Sequence, residues 1–237
     1  MIQVRNLTKK YGKTLANDDV NLTVDAGQLA VLLGPNGAGK STLIKSICGL
    51  LRYDGAITID GYANNTAEAK RIIGYVPEFP ALYPMLTVGE HLEFIARSYR
   101  LESWKEYGEE LLSRFELDDK RNKLGKELSK GMQQKVSVCC ALLPQPKVVV
   151  FDEPLVGLDP HGIRELKDVI TELRGRDCAL LVSTHIIDSV EEDWDAVYIM
   201  RGGRIAREYR RSDLVGGETL ESVYFSITEG SNEVIGA

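Results

Sequence analysis

The 237 residues contain no apolar run that approaches the ~20 needed to span a bilayer. The opening residues, Met1-Ile2-Gln3-Val4-Arg5, also lack the apolar stretch of a secretory signal. These two absences predict a soluble, intracellular chain that reaches a membrane only by docking onto a membrane protein. Positive charge is not in excess either: 29 Lys and Arg stand against 35 Asp and Glu, a formal charge of −6. That balance argues against a surface built to neutralise nucleic-acid phosphates, and no nucleic-acid partner is expected. The four cysteines, Cys48, Cys139, Cys140 and Cys178, form no C-x-x-C pair and lie in apolar runs. They are expected to pack as small buried hydrophobes in a reducing compartment. A guanine-reading Asn-Lys-x-Asp is missing too, because Asn122-Lys123-Leu124-Gly125 has no Asp in the last place. Internal repeats and low-complexity segments are absent.

What is present is a strong local pattern. An apolar run, Leu29-Ala30-Val31-Leu32-Leu33, leads into Gly34-Pro35-Asn36-Gly37-Ala38-Gly39-Lys40-Ser41-Thr42, and a helix-compatible run follows. The nine residues fit G-x-x-x-x-G-K-[ST] in the strand–loop–helix context that the pattern requires. A triphosphate needs several backbone N–H groups aimed at one point. Glycine at 34, 37 and 39 is therefore expected to let the backbone wrap the phosphates. The following helix adds free N–H groups and the positive end of its dipole. Lys40 is placed to reach the β- and γ-phosphates, and the Ser41 hydroxyl to ligate Mg²⁺. A nucleoside triphosphate is the expected ligand.

Around this loop the chain changes character in stages. Ile2 and Val4 alternate, as do Val20, Leu22 and Val24; Ala56-Ile57-Thr58-Ile59 and Ile72-Ile73-Gly74-Tyr75-Val76 read as further strands. From about Thr87 to Leu143 the spacing turns helical, with Val88, Leu92 and Ile95 on one face. Met132, Val136, Cys139 or Cys140, and Leu143 share another face that ends before Pro144. Residues 120–126 form a basic run, read as a solvated loop. Apolar strands then alternate with a helix: residues 147–151, a helix after Pro160, and residues 178–183. Continuous apolar strands alternating with helices predict an α/β fold with a parallel sheet covered on both faces. Arg201-Gly202-Gly203-Arg204 between two apolar runs signals a hairpin, and residues 230–237 read as a frayed tail.

The strand Val148-Val149-Val150-Phe151 ends in Asp152-Glu153. A strand buried on both faces does not tolerate carboxylates inside, but its C-terminal edge borders the phosphate site. Asp152 there is expected to hold Mg²⁺ through water. Glu153, one residue further, is expected to polarise an attacking water.

At this point a family resemblance becomes specific. The chain resembles the ATP-binding subunit of an ATP-binding-cassette (ABC) transporter over nearly all of its length. Leu128-Ser129-Lys130-Gly131-Met132 is similar to the family's signature sequence, Gly157-Leu158-Asp159-Pro160 to its D-loop, and Ser183-Thr184-His185 to its switch histidine. Tyr11 lies where the family places an adenine-stacking aromatic, and Glu78 where it usually has the Q-loop glutamine. The resemblance implies that Ser129 and the N–H groups near Gly131 face the γ-phosphate held by a second cassette, identical or paired. It implies that Asp159 acts across the same interface, that His185 orients the water, and that Glu78 approaches Mg²⁺. Lys130, Met132 and Glu78 depart from the usual pattern. With Thr219-Leu220-Glu221-Ser222-Val223-Tyr224-Phe225, they are similar to cassettes of the ABC-2 exporter type, which serve separate membrane subunits.

The resemblance implies a single domain with a P-loop NTPase (RecA-like) core over about 1–86 and 144–215, including an N-terminal antiparallel β subdomain. A helical signature subdomain is inserted over about 87–143, and a C-terminal segment covers about 216–237. It implies an ATPase using ATP and Mg²⁺, peripheral on the cytoplasmic face of a membrane through integral transporter subunits. The other reading is a soluble ABC-type ATPase acting on ribosomes or DNA. Such proteins carry two cassettes or a long inserted coiled coil, and neither is visible here.

Overall fold

In the computed structural model, residues 1–186, 194–213, 219–221 and 224 are described. The exporter-like segment at 219–225 is therefore described only in part, and the tail at 230–237 lies outside the described residues.

Two sheets carry the chain. β1 (Ile2–Tyr11), β2 (Thr14–Val24), β4 (Asp54–Ile59) and β5 (Tyr62–Ala63) form an antiparallel sheet in the order β2-β1-β4-β5. The second sheet comprises β3 (Leu29–Leu33), β6 (Ile73–Val76), β7 (Val148–Asp152), β8 (Ala179–Thr184), β9 (Ala196–Arg201) and β10 (Arg204–Arg210), ordered β10-β9-β3-β8-β7-β6. Every pairing in it is parallel except β9 with β10. That exception is the glycine hairpin at 202–203. All residues of β3, β7 and β8 are buried, which is why these strands read as continuous apolar runs.

Helices cover both faces. α1 (Lys40–Ile47) packs Leu43, Ile44 and Ile47 against the antiparallel sheet and against Val148 and Val150. The short α2 (Ala67–Ile72), capped by Thr66, had no signature long enough to find in the sequence. On the other face, α3 (Val88–Tyr99), α4 (Lys105–Arg114) and α5 (Lys130–Leu142) share one core with α6 (Pro160–Gly175). Leu92, Leu111, Phe115, Val136, Phe151, Leu166 and Leu180 belong to that core, each worth about 1.5–3 kcal/mol when fully buried.

Local chemistry sets the helix starts. Thr87 and Glu90 form a reciprocal capping box at α3, Ser129 caps α5, and Asp159 caps α6 ahead of Pro160. His91 is buried: its Nε2 accepts from the Tyr83 N–H at 2.9 Å, and Nδ1 faces the Thr87 carbonyl at 2.7 Å, so Nδ1 carries the proton. The basic run at 120–126 is largely exposed, although the Gly89 N–H donates to the Arg121 carbonyl and Arg121 pairs with Glu109. All four cysteines are free. Burial holds the Cys139 thiol far above its ordinary value and pushes Cys178 up to about 11.

Candidate nucleotide site

β3 delivers the chain into residues 34–39, and α1 begins at Lys40. The N-cap, Gly39, has φ 105° and offers no side chain to the first turn, leaving those N–H groups without a side-chain acceptor. Gly37 has φ 81° with open space where a Cβ would stand. The other two glycines answer to a different constraint from the expected one. A Cβ on Gly34 would lie 2.4 Å from the Met200 carbonyl oxygen, and one on Gly39 would lie 2.4 Å from the Ala16 carbonyl oxygen. They are required by close contact with the chain's own β9 and β2. The β9–β10 turn buttresses the loop as well, through Gly203 N–H donating to the Ala38 carbonyl at 3.0 Å.

The loop forms one wall of a cavity of about 560 Å³. Residues 35–42 line it together with Thr14, Leu15, Ala16, Glu78, Glu153, Val156, His185, Gly202 and Gly203. Gly34, the loop's first residue, does not line it. Lys40 is 6% exposed, and its Nζ donates to the Gly34 carbonyl at 2.7 Å while standing 3.4 Å from Glu153 Oε1. Glu153 adopts φ 49°, in the left-handed region, where β7 turns sharply at its end. Its other oxygen, Oε2, accepts from His185 Nδ1 at 2.9 Å and from the His185 backbone N–H at 3.3 Å. A carboxylate only accepts, so His185 donates through Nδ1.

Asp152 is buried and joins two hydroxyls. Ser41 Oγ lies 3.2 Å from its Oδ1, and Ser183 Oγ donates to the same oxygen at 2.7 Å. Ser183 in turn accepts from the Glu153 N–H at 3.1 Å. The oxygens of Ser41 and Asp152 are thus adjacent, a hard-donor set suited to Mg²⁺. The structure therefore brings Lys40, Ser41, Asp152, Glu153 and His185 together.

Of the remaining predicted residues outside the loop, Glu78 lines the cavity, whereas Tyr11, Ser129, Gly131 and Asp159 do not. Tyr11 is 49% exposed and does not line the cavity; Lys9 Nζ sits 4.9 Å from its ring centroid, covering one face. Glu78 lines the cavity and also a second groove of about 830 Å³, between the sheet and the helices of 87–143. Ser129, Gly131 and Asp159 do not line the nucleotide cavity. Ser129 is exposed, with its hydroxyl accepting from the Met132 N–H at 3.3 Å.

Residues 17–156 match the model of the ABC transporter family. The chain belongs to that family. It is 33% identical over 232 residues to the lipopolysaccharide export system ATP-binding protein LptB of Haemophilus influenzae, covering 94% of this chain and 96% of LptB. It is 40% identical over 211 residues to the ABC transporter ced-7 of Caenorhabditis elegans, where 86% of the chain spans only 12% of that protein. Among solved structures, an ATP-binding subunit of an ABC transporter superposes with TM-score 0.91 at 35% identity, covering 96% of this chain and 99% of the other. A dimeric ATP-binding cassette in a post-hydrolysis state, bound to ADP and Pi, superposes with TM-score 0.78 at 28% identity, covering 89% and 98%.

As an ABC cassette, the chain binds and hydrolyses ATP. Sequence reasoning missed Ser183 as a contact of both acidic residues, because a serine at the end of an apolar strand has no motif of its own. It also missed Thr14, Leu15 and the 202–203 turn as cavity walls. The hairpin pattern at 201–204 signalled the turn but not its place in the cavity wall.

Proposed function

We propose that this cassette powers an exporter by pairing with a second cassette around ATP. The observation that carries the reading is the division of labour in one chain. Residues 35–42 of the phosphate loop, Glu153 and His185 converge on one cavity, with Asp152 bonded to Ser41 of that loop, while the exposed Ser129 and the half-buried Gly131 lie outside it. The start of α5 outside the cavity, with its free first-turn N–H groups, is suited to an anion that a partner would bring. The dimeric relative bound to ADP and Pi supports the pairing, and the name of LptB supports export.

Within the cavity, Lys40 and the first-turn amides of α1 bind the β- and γ-phosphates. Among the described residues no three His, Cys, Asp or Glu side chains cluster as a metal cage. A divalent ion would be held here by Ser41 and Asp152. Mg²⁺ held by these residues would supply charge neutralisation to the phosphates. Glu153 accepts a proton from the attacking water, and His185 holds Glu153 in place and reaches toward the γ-phosphate side. Catalysis is positioning and charge stabilisation, without a covalent intermediate. Glu78 stands where the large groove meets the cavity, and so carries the nucleotide state outward. Tyr11, half exposed with one ring face covered by Lys9, offers the other face for adenine stacking, worth about 1 kcal/mol.

The groove supplies the output surface. Leu50, Phe79, Tyr83 and Phe94 line it and are 45–67% exposed. Exposed aromatics at that density mark an interaction site. Its occupant in this reading is a cytoplasmic segment of an integral membrane subunit, which places the cassette on the cytoplasmic face. No helix among the described residues is long and apolar enough to cross a membrane. The test is co-isolation from detergent-solubilised membranes. The tagged chain should bring down a polytopic membrane protein, and Phe79→Asp should release it while sparing ATP binding. Recovery with ribosomes or DNA instead would favour the soluble ABC ATPase.

A further inference from the structure

Lys135 is a charged side chain on α5 that is only 5% exposed, and no role has yet been given to it. Its ammonium lies 2.9 Å from Asp159 Oδ2 and 3.9 Å from Glu116 Oε2; Glu116 Oε2 is also 3.6 Å from His161 Nδ1. The lysine stem runs beneath the start of α6, where a Cβ on Gly162 would come within 2.9 Å of Lys135 Cε. Asp159 Oδ1 meanwhile accepts from the Gly162 N–H at 2.6 Å. One oxygen of Asp159 therefore caps α6 and the other holds Lys135, both inside the same chain. The ammonium is also the main reason the Asp159 carboxyl sits below its ordinary value.

The loop before Asp159 touches both ends of the site. Val156 lines the chain's own nucleotide cavity, three residues after Glu153, whose carbonyl accepts from the Val156 N–H at 3.2 Å. Gly157 presses on the signature segment: a Cβ on Gly131 would stand 2.5 Å from the Gly157 carbonyl oxygen. Residues 153–159 thus run from the water-activating carboxylate of one site to the helix start offered to the other.

We infer that Lys135 is a positioning residue that locks this loop to the signature helix, so that the two nucleotide sites of the paired cassettes respond together. The inference rests on the pairing proposed above. A buried ammonium with one close carboxylate makes a latch, because Lys135, unlike the half-exposed Asp159, would be an uncompensated buried charge without its partner. Loss of the latch leaves ATP binding to a single chain intact, since Lys135 does not line the cavity. It weakens the presentation of Ser129 and Gly131 to the partner.

The test uses the full chain carrying Glu153→Gln, and measures ATP-driven dimerisation against ATP concentration alongside binding of a fluorescent ATP analogue to the monomer. Adding Lys135→Met should raise the ATP concentration at half-dimerisation about tenfold. Monomer affinity should stay within about twofold, and Lys135→Arg should restore most of the shift. Should Lys135→Met not fold, Lys135→Gln should give the same direction with a shift of at least about threefold. An unshifted dimerisation curve in a folded Lys135 variant overturns the inference while leaving the pairing intact. If Glu153→Gln alone stays monomeric in ATP, the pairing falls and the inference with it.

Discussion

Lys40 Nζ and Glu153 Oε1 stand 3.4 Å apart, both on side chains almost wholly removed from solvent. The cation proposed to bind phosphate and the carboxylate proposed to activate water are thus ion-paired with each other, and Lys40 also donates into the loop at Gly34. For Lys40 to reach a β- or γ-phosphate it must exchange these partners. Charge balance in the pocket is therefore set by this pair.

Lys40→Ala should reduce ATP affinity by at least about a hundredfold, because it removes the charge-assisted donor and leaves Glu153 buried with no cation beside it. Isothermal titration with ATP checks this. Affinity within threefold of the parent would remove Lys40 from phosphate binding.

Ser183→Ala should cost about 2 kcal/mol of stability, since the Asp152 carboxylate loses a donor and the Glu153 N–H loses its side-chain acceptor. The ATPase kcat should fall with KM little changed, because the two carboxylates lose their fixed separation. Thermal melting and steady-state kinetics read the two effects. Unaltered kcat would mean that the carboxylates are placed by the backbone alone.

Gly34→Ala and Gly37→Ala separate the two uses of glycine in the loop. At Gly34 the added methyl meets the Met200 carbonyl, whereas at Gly37 it meets open space and only the positive φ, costing about 1–2 kcal/mol. Gly34→Ala should therefore lower the melting temperature more than Gly37→Ala. The reverse order would show that the Met200 contact relaxes without cost.

Much of this site could be read from the chain, and the reason is geometric. Gly37, Gly39, Lys40 and Ser41 must lie next to one another in sequence to shape one loop, and Asp152-Glu153 must end a strand. Contacts that close over long sequence separations left no such trace. Ser183 with Asp152 and Met200 with Gly34 are set by the order of strands, and Lys135 with Asp159 by the packing of α5 on the start of α6, which single-sequence patterns do not encode. Tyr11 is the reverse case. Its place in the sequence was plain, but its ring does not line the cavity, and Leu15 takes a place in the wall. The family resemblance supplied roles for Ser129 and Asp159, yet only the packing shows both Asp159 oxygens occupied within the chain.

Arg114 grips Glu172 with two donors, each at 2.9 Å, and reaches Glu165 at 3.3 Å, tying α4 to α6. The Arg114 contact holds the Glu172 carboxyl below the usual glutamate range. A depressed folded value means that the carboxylate stabilises the fold above the ordinary glutamate pKa of about 4.3, and that this contribution is lost as pH falls through the lower folded value. Glu172→Gln should therefore lower the melting temperature at pH 7 while changing it little at pH 3. Equal losses at both pH values would assign the effect to packing.

The most direct test of the account is the mass of the Glu153→Gln chain in solution with and without saturating ATP and Mg²⁺. The substitution removes the carboxylate proposed to activate water and leaves Lys40, the loop amides, Ser129 and Gly131 in place. The account predicts a monomer without nucleotide and a stable species of twice the monomer mass with ATP, by light scattering. A chain that binds ATP yet remains monomeric would contradict it.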